Sequence, residues 1–249
     1  PGKYVYLPLP PDRLPAALRA LPALNFAGCN LTIPHKLHAM EIVDEVDEVA
    51  RKIGAISCVV VRDDGSLWGT NNDWRGFLGN LKQSVPGWRA DAGIATVIGA
   101  GGGARAICHA LLLEGAPEIR LVNRTPVRAE ELAEDIGGPI TILRWDQRHE
   151  ALDGATIIVN TTSLGMVGQP ALDLSLDALA LDAVAADIIY TPLETPFLAA
   201  AKARGNKTVG GLGMLLHQGP PAWKLWFDVT ATVTPDLRAL MEASIAGDA

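Results

Sequence analysis

No stretch of this sequence narrows the choice of fold as sharply as Ile94 to Glu114. Ile94-Ala95-Thr96-Val97-Ile98 leads directly into Gly99-Ala100-Gly101-Gly102-Gly103-Ala104, and Arg105 to Glu114 follows with Ile107, Ala110 and Leu111 on one helical face. Strand, glycine turn and helix in that order form a dinucleotide-binding unit. Gly99 suits the tight turn, Gly101 lets a pyrophosphate approach the backbone, and Ala104 permits close packing of helix on strand. The phosphates then meet unpaired N–H groups at the positive end of a helix dipole, so no lysine is needed. Ala100, Gly102 and Gly103 complete the turn as candidate cofactor contacts. The alternative is a glycine turn that serves the fold alone.

Around this unit, short apolar runs at Ile119–Val122, Ile140–Leu143, Thr156–Val159 and Ala185–Ile189 are separated by helical or polar stretches. That rhythm predicts a parallel sheet with crossover helices. The run at Ile119–Val122 ends in Asn123-Arg124-Thr125, with Arg128 one turn further on. An acidic residue here would bind the ribose 2′-hydroxyl of NAD, whereas arginine accommodates the 2′-phosphate of NADP. Two guanidinium forks, Arg124 and Arg128, match phosphate oxygens and predict NADP as cofactor. The alternative is that both are solvated surface residues.

The rest of the chain bounds the function. With 249 residues and 49% hydrophobic content it has material for two modest domains. A net charge of −7 with scattered Lys and Arg offers no stripe for nucleic acid, which leaves a small molecule as the expected partner. No apolar stretch has membrane-spanning length and no charged-then-apolar leader opens the sequence, so the cytoplasm is the expected compartment. Cys29, Cys58 and Cys108 have neither disulfide nor metal-ligand spacing and read as small core residues; no metal is expected. A start at Pro1 rather than Met predicts that some N-terminal sequence is missing.

Lys3 to Leu9 alternates like a strand, Pro10-Pro11-Asp12 punctuates it before a short helix, and Met40 to Lys52 has the pattern of an amphipathic helix, followed by a strand at Ile56–Val61. Gln83 to Gly93, with Pro86, Gly87 and Gly93, marks a linker. The organisation predicted is a smaller α/β domain over 1–85, a nucleotide domain over 91–214, and C-terminal helices over 215–249, with Trp223, Leu225, Trp226 and Phe227, that either return to the first domain or cap the sheet.

The first domain holds three polar motifs: Asn30-Leu31-Thr32-Ile33-Pro34-His35-Lys36, Gly54-Ala55-Ile56-Ser57, and Asn71-Asn72-Asp73-Trp74-Arg75-Gly76. Taken singly, Lys36 reads as a surface lysine and Asp73 as a turn former; as a pair on loops they are suited to moving a proton. Together with Asn160-Thr161-Thr162-Ser163-Leu164-Gly165-Met166, Asp187 to Pro192 and Gly210 to Gln218, these motifs closely resemble the shikimate dehydrogenase family over nearly the whole chain. The resemblance implies an α/β protein with an NADP-binding Rossmann domain, a smaller α/β substrate-binding domain and a cleft between them. It implies reversible hydride transfer between shikimate and NADP in aromatic amino acid and chorismate biosynthesis, with Lys36 and Asp73 as the catalytic couple. By the same resemblance Thr32, Ser57, Tyr190 and Gln218 contact substrate, and Thr161, Ser163, Gly211 and Met214 join the glycine turn and the Asn123–Arg128 segment at the cofactor. His217 is assigned a structural or surface role.

Three departures stand out. Ser57 replaces the family's Asn, exchanging an amide for a shorter hydroxyl. Asn72 replaces the usual Thr before Asp73, and the family's N-terminal strand with its paired carboxylate-binding serines has no counterpart. The alternatives are a quinate/shikimate dehydrogenase and a catalytically silent NADP-binding regulatory homologue, either of them, like the first reading, a monomer or homodimer.

Overall fold

The computed structural model describes residues 3–247, so Pro1 lies outside the described residues. Packing divides the chain into two compact units, Pro1–Asn71 and Asn72–Ala249.

In the first unit, helix α1 (Leu14–Ala20) begins with Pro15 in its first turn, where a missing N–H costs nothing, and buries Leu14 and Leu18. Strands β1 (Gly28–Asn30) and β2 (Glu45–Val46), helix α2 (Glu48–Ile53), and strands β3 (Cys58–Val61) and β4 (Leu67–Thr70) follow. The sheet has the order β1-β3-β4-β2; β3 runs antiparallel to β1 and β4, and β2 lies parallel to β4. Leu14, Leu18, Leu31, Ile56, Val59 and Leu67 form its apolar core.

Two expectations fail here. Lys3–Leu9 belongs to no strand: Tyr4, Val5, Tyr6 and Leu7 are exposed, and Pro8 and Pro10 remove backbone donors. The continuous helix over 40–52 is broken into a 3-10 turn (His38–Glu41), β2 and α2. Its acidic residues break it. Asp44 exchanges backbone and side-chain hydrogen bonds with Leu67 (2.9 and 2.8 Å), and Asp47 caps α2 by accepting the Ala50 N–H at 2.6 Å.

The second unit opens with α3 (Asp73–Ser84) and continues through β5 (Ile94–Ile98), α4 (Gly102–Leu113), β6 (Ile119–Val122), α5 (Pro126–Ile136), β7 (Ile140–Leu143), β8 (Ala155–Asn160), β9 (Val184–Asp187), α6 (Pro196–Arg204), β10 (Lys207–Val209), α7 (Leu212–His217), α8 (Gly219–Phe227) and α9 (Pro235–Gly247). Its six strands are all parallel, in the order β10-β9-β8-β5-β6-β7. The chain therefore winds outward from β5 in one direction, returns to β8 and winds outward in the other, as in a Rossmann fold, and ligands of such sheets bind at the carboxyl ends where the order reverses. The strands read from the apolar runs are present, and β10 is added to them. Ile98, Ile119, Leu121, Val159 and Ala185 are fully buried between the helical layers; each large side chain so placed contributes about 1.5–3 kcal/mol.

Packing places the boundary between units earlier than the 83–93 linker. Helix α3 lies against α4 and α7, so 72–85 groups with the nucleotide domain. No helix among the described residues is long and apolar enough to cross a membrane. Cys58 and Cys108 are buried and Cys29 is half-buried, and none of the three forms a disulfide among the described residues.

Candidate functional site

The glycine turn sits at the order reversal, between the carboxyl end of β5 and α4. Gly99 has φ +112, and a Cβ there would lie 2.5 Å from the Thr161 hydroxyl, so only glycine fits. At Gly101 the opposite holds, since a Cβ would have no atom within 4 Å. The backbone is open where a pyrophosphate must approach. Helix α4 starts one residue later without a side-chain cap, leaving its first N–H groups without intrahelical partners. Ala100 and Ala104 are buried, and Ala104 packs in the core as close helix–strand contact requires. Gly102 and Gly103 form the first turn of α4, and the Ile188 side chain would meet a Cβ on Gly103 at 2.9 Å. Open backbone, uncapped helix end and missing side chains together fit a dinucleotide.

At the end of β6, Asn123 donates to the Thr125 carbonyl at 2.8 Å and Thr125 is the N-cap position of α5. Arg124 and Arg128 are exposed, and among the described residues neither joins an ion pair. Two free guanidinium groups beside the turn are available to an anionic ligand.

On the other side of the reversal, Thr161 donates its hydroxyl to the Ile98 carbonyl at 2.7 Å, fastening the end of β8 to that of β5. Ser163 is exposed on the loop after β8, and Tyr190 is exposed after β9. Gly211 packs so closely that a Cβ would lie 2.2 Å from the Ile188 carbonyl oxygen. Met214, on α7, is 7% exposed within the apolar core, with Phe77, Leu78 and Leu81 in the same cluster. Gln218, half-buried, ends α7 and begins α8. His217 lies 3.0 Å from the Gln83 amide oxygen, and burial together with the Arg238 charge holds its imidazole below the usual value. This supports a structural place for it.

A group that sequence reasoning missed lies beneath these loops. The buried Asp187 carboxylate accepts hydrogen bonds from the Asn160 amide (3.1 Å), the Thr195 hydroxyl (2.8 Å) and the Ile189 N–H (2.9 Å). Burial pushes its carboxyl up to about 6 against the opposing pull of those donors. The available signal was two polar residues, Asn160 and Asp187, closing otherwise apolar strands.

In the first unit, a run of backbone hydrogen bonds gathers the candidates at one end of the sheet. Leu31 N–H donates to Ser57, Ser57 N–H to Thr70, and Ile56 N–H to the Lys36 carbonyl at 2.8–2.9 Å, while the Asn71 amide donates to Ala55 at 2.9 Å. Thr32 is exposed, Lys36 half-buried and Ser57 buried. Asp73 belongs to the second unit, where it is fully buried as the first residue of α3, a position at which the helix dipole favours a carboxylate.

The comparisons place this geometry among known proteins. Residues 1–59 match the family model of the shikimate dehydrogenase substrate binding domain, and residues 82–167 that of shikimate / quinate 5-dehydrogenase. A shikimate dehydrogenase (NADP(+)) from Rhodospirillum rubrum is 53% identical over 96% of this chain and 86% of its own. The crystal structure of a shikimate 5-dehydrogenase from Thermus thermophilus, in complex with NADP(H) and shikimate, superposes with a TM-score of 0.80 at 35% identity, covering 97% of this chain and 86% of that one. A quinate dehydrogenase from Corynebacterium glutamicum in complex with NAD gives 0.84 at 29% identity over 92% and 82%.

Proposed function

The chain belongs to the shikimate dehydrogenase family, and from that premise we propose that it catalyses reversible hydride transfer between shikimate and NADP+, giving 3-dehydroshikimate and NADPH, in aromatic amino acid and chorismate biosynthesis. The observation that carries the cofactor assignment is the open glycine turn at the order reversal with the unpaired Arg124 and Arg128 beside it. When bound, NADP+ supplies the hydride acceptor. The Gly99–Ala104 turn holds its pyrophosphate on the N–H groups of α4, Arg124 and Arg128 hold the 2′-phosphate with Asn123 and Thr125 shaping their turn, and Thr161, Ser163, Gly211 and Met214 form or support the far side of the site.

Lys36 and Asp73 then serve as the proton-transfer couple at the hydroxyl being oxidised, since loss of hydride from carbon requires loss of a proton from oxygen. In this reading Thr32, Ser57, Tyr190 and Gln218 orient the substrate. We read the enzyme as a cytoplasmic monomer or homodimer acting on a small molecule and not on nucleic acid.

Likeness to the Corynebacterium quinate dehydrogenase favours quinate as a second substrate; the two arginines favour NADP over NAD. The test is kcat/KM for both substrates with both cofactors, alongside Lys36→Ala. Shikimate with NADP+ is expected to be the best pair. The variant should lose about 100-fold or more in kcat while still binding shikimate, the range of general acid–base catalysis. NADPH binding without turnover by the parent protein would overturn the enzymatic reading in favour of a silent regulatory homologue.

A further inference from the structure

We propose that Asp187 is a positioning residue for the cofactor, whose carboxylate fixes the loops after β8 and β9 in the shape that receives the cofactor beside the glycine turn. The inference rests on the NADP-dependent reading above, and its basis is the network around that carboxylate. Oδ2 accepts from both Asn160 Nδ2 and Thr195 Oγ1, and Oδ1 accepts from the Ile189 N–H.

Each partner anchors a different segment. The Asn160 amide also donates to the Leu164 carbonyl at 3.1 Å, while its oxygen receives the Thr162 N–H (3.1 Å) and hydroxyl (2.8 Å), which shapes the loop carrying Ser163. Thr195 is the N-cap of α6 and receives the Leu198 N–H at 3.3 Å, so it ties the carboxylate to a helix start. The bond to Ile189 fixes the backbone next to Ile188, whose side chain lies against Gly103 of the glycine turn and whose N–H donates to the Asn160 carbonyl at 3.1 Å. The two loops also join directly, Val167 N–H donating to the Thr191 carbonyl at 3.1 Å.

Asp187 itself is 3% exposed and enclosed by donors, so it acts through these segments and does not touch substrate. The three donors favour the ionised form against the opposing effect of burial, because a proton on Oδ1 would crowd the Ile189 N–H and one on Oδ2 would require the Thr195 hydroxyl to turn from donor to acceptor. The groups acting on it are the Ile189 N–H, Asn160 and Thr195, none of which titrates near neutrality. Protonation therefore loosens the loops without competition from a second titrating partner.

The test compares the full-length chain with Asp187→Asn, Thr195→Val and Thr195→Ser, measuring NADPH affinity by titration and KM for NADP+ and shikimate from about pH 5 to about pH 8. At neutral pH, Asp187→Asn and Thr195→Val should each weaken NADPH binding and raise KM for NADP+ by about tenfold, the scale of one hydrogen bond to a charged group. KM for shikimate should stay within about twofold, and Thr195→Ser, which keeps the hydroxyl, should match the parent. The parent's KM for NADP+ should climb as pH falls through about 6, while that of Asp187→Asn stays flat.

Unchanged NADPH affinity in folded Asp187→Asn and Thr195→Val would overturn the proposal, as would equal effects of Val and Ser at 195. If Asp187→Asn does not fold, Thr195→Val decides. Failure of the parent to turn over shikimate would refute the proposed reaction, while the NADPH titrations would still judge this inference.

Discussion

Arg124 and Arg128 show what single residues can decide. At the end of β6, where ordinary surface arginines would be free to pair with nearby acids, both stand exposed and, among the described residues, neither has an ion-pair partner. A phosphate dianion between them would gain charge-assisted hydrogen bonds worth about 1.5–3 kcal/mol each, whereas a bare ribose hydroxyl offers them little. Replacing both by Ala should therefore raise KM for NADP+ by roughly 100-fold or more and leave KM for NAD+ within about threefold. Steady-state kinetics with each cofactor checks this, and an equal loss with both would show that the pair does not read the 2′-phosphate.

At the scale of elements, the glycine turn was legible because its chemistry is local: strand, turn and helix follow one another in sequence, and β5, β6 and β7 begin and end where their apolar runs do. The partners of Asp187 were not legible. Asn160 is 27 residues away and Thr195 eight, and only the folded sheet brings them to one carboxylate. Strand β10 escaped notice because only Val209 of its three residues is buried. The helix expected over 40–52 failed because Asp44 pairs with Leu67 and the Asp47 N–H with the Gly69 carbonyl, both far outside the window a periodicity argument sees, while the Asp47 side chain starts a separate helix by capping Ala50. Close packing of α3 on α7 was hidden for the same reason. A Cβ on Gly76 would lie 2.6 Å from the Met214 carbonyl oxygen, a backbone atom that cannot swing aside. Ala is favoured over Gly in a helix by about 1 kcal/mol, but overpacking costs about 1–3 kcal/mol, and an approach this short puts the clash at the upper end. Gly76→Ala should lower the melting temperature by several degrees and reduce turnover, because the same helix pair carries Asp73 and Gln218. Thermal denaturation paired with kcat checks both, and a stabilised variant would mean that propensity wins.

For the whole molecule, the buried Asp187 carboxylate is a liability that the candidate site explains. Its carboxyl titrates at about 6 in the folded chain against an ordinary value of 3.8, so the folded state binds its proton more tightly than the unfolded chain does. Stability from this group is complete below the unfolded value and is lost as pH rises through the folded one. Keeping it ionised at neutral pH costs about 3 kcal/mol at 1.36 kcal/mol per pH unit. Exposed carboxylates act in the opposite sense. The Leu67 N–H and then Arg19 hold Asp44 below its usual value, and Arg144 does the same for Asp146, so their contribution disappears as pH falls toward their folded values. The parent's stability curve mixes both effects, but its difference from Asp187→Asn isolates one of them. Urea unfolding across the range should show Asp187→Asn gaining on the parent by roughly 2.4 kcal/mol between about pH 4 and about pH 7, whatever constant offset the altered hydrogen bonds introduce. A difference that stays constant with pH would mean that the carboxylate is as well solvated in the folded chain as in the unfolded one, and the positioning role would then lose the energetic strain that its burial implies.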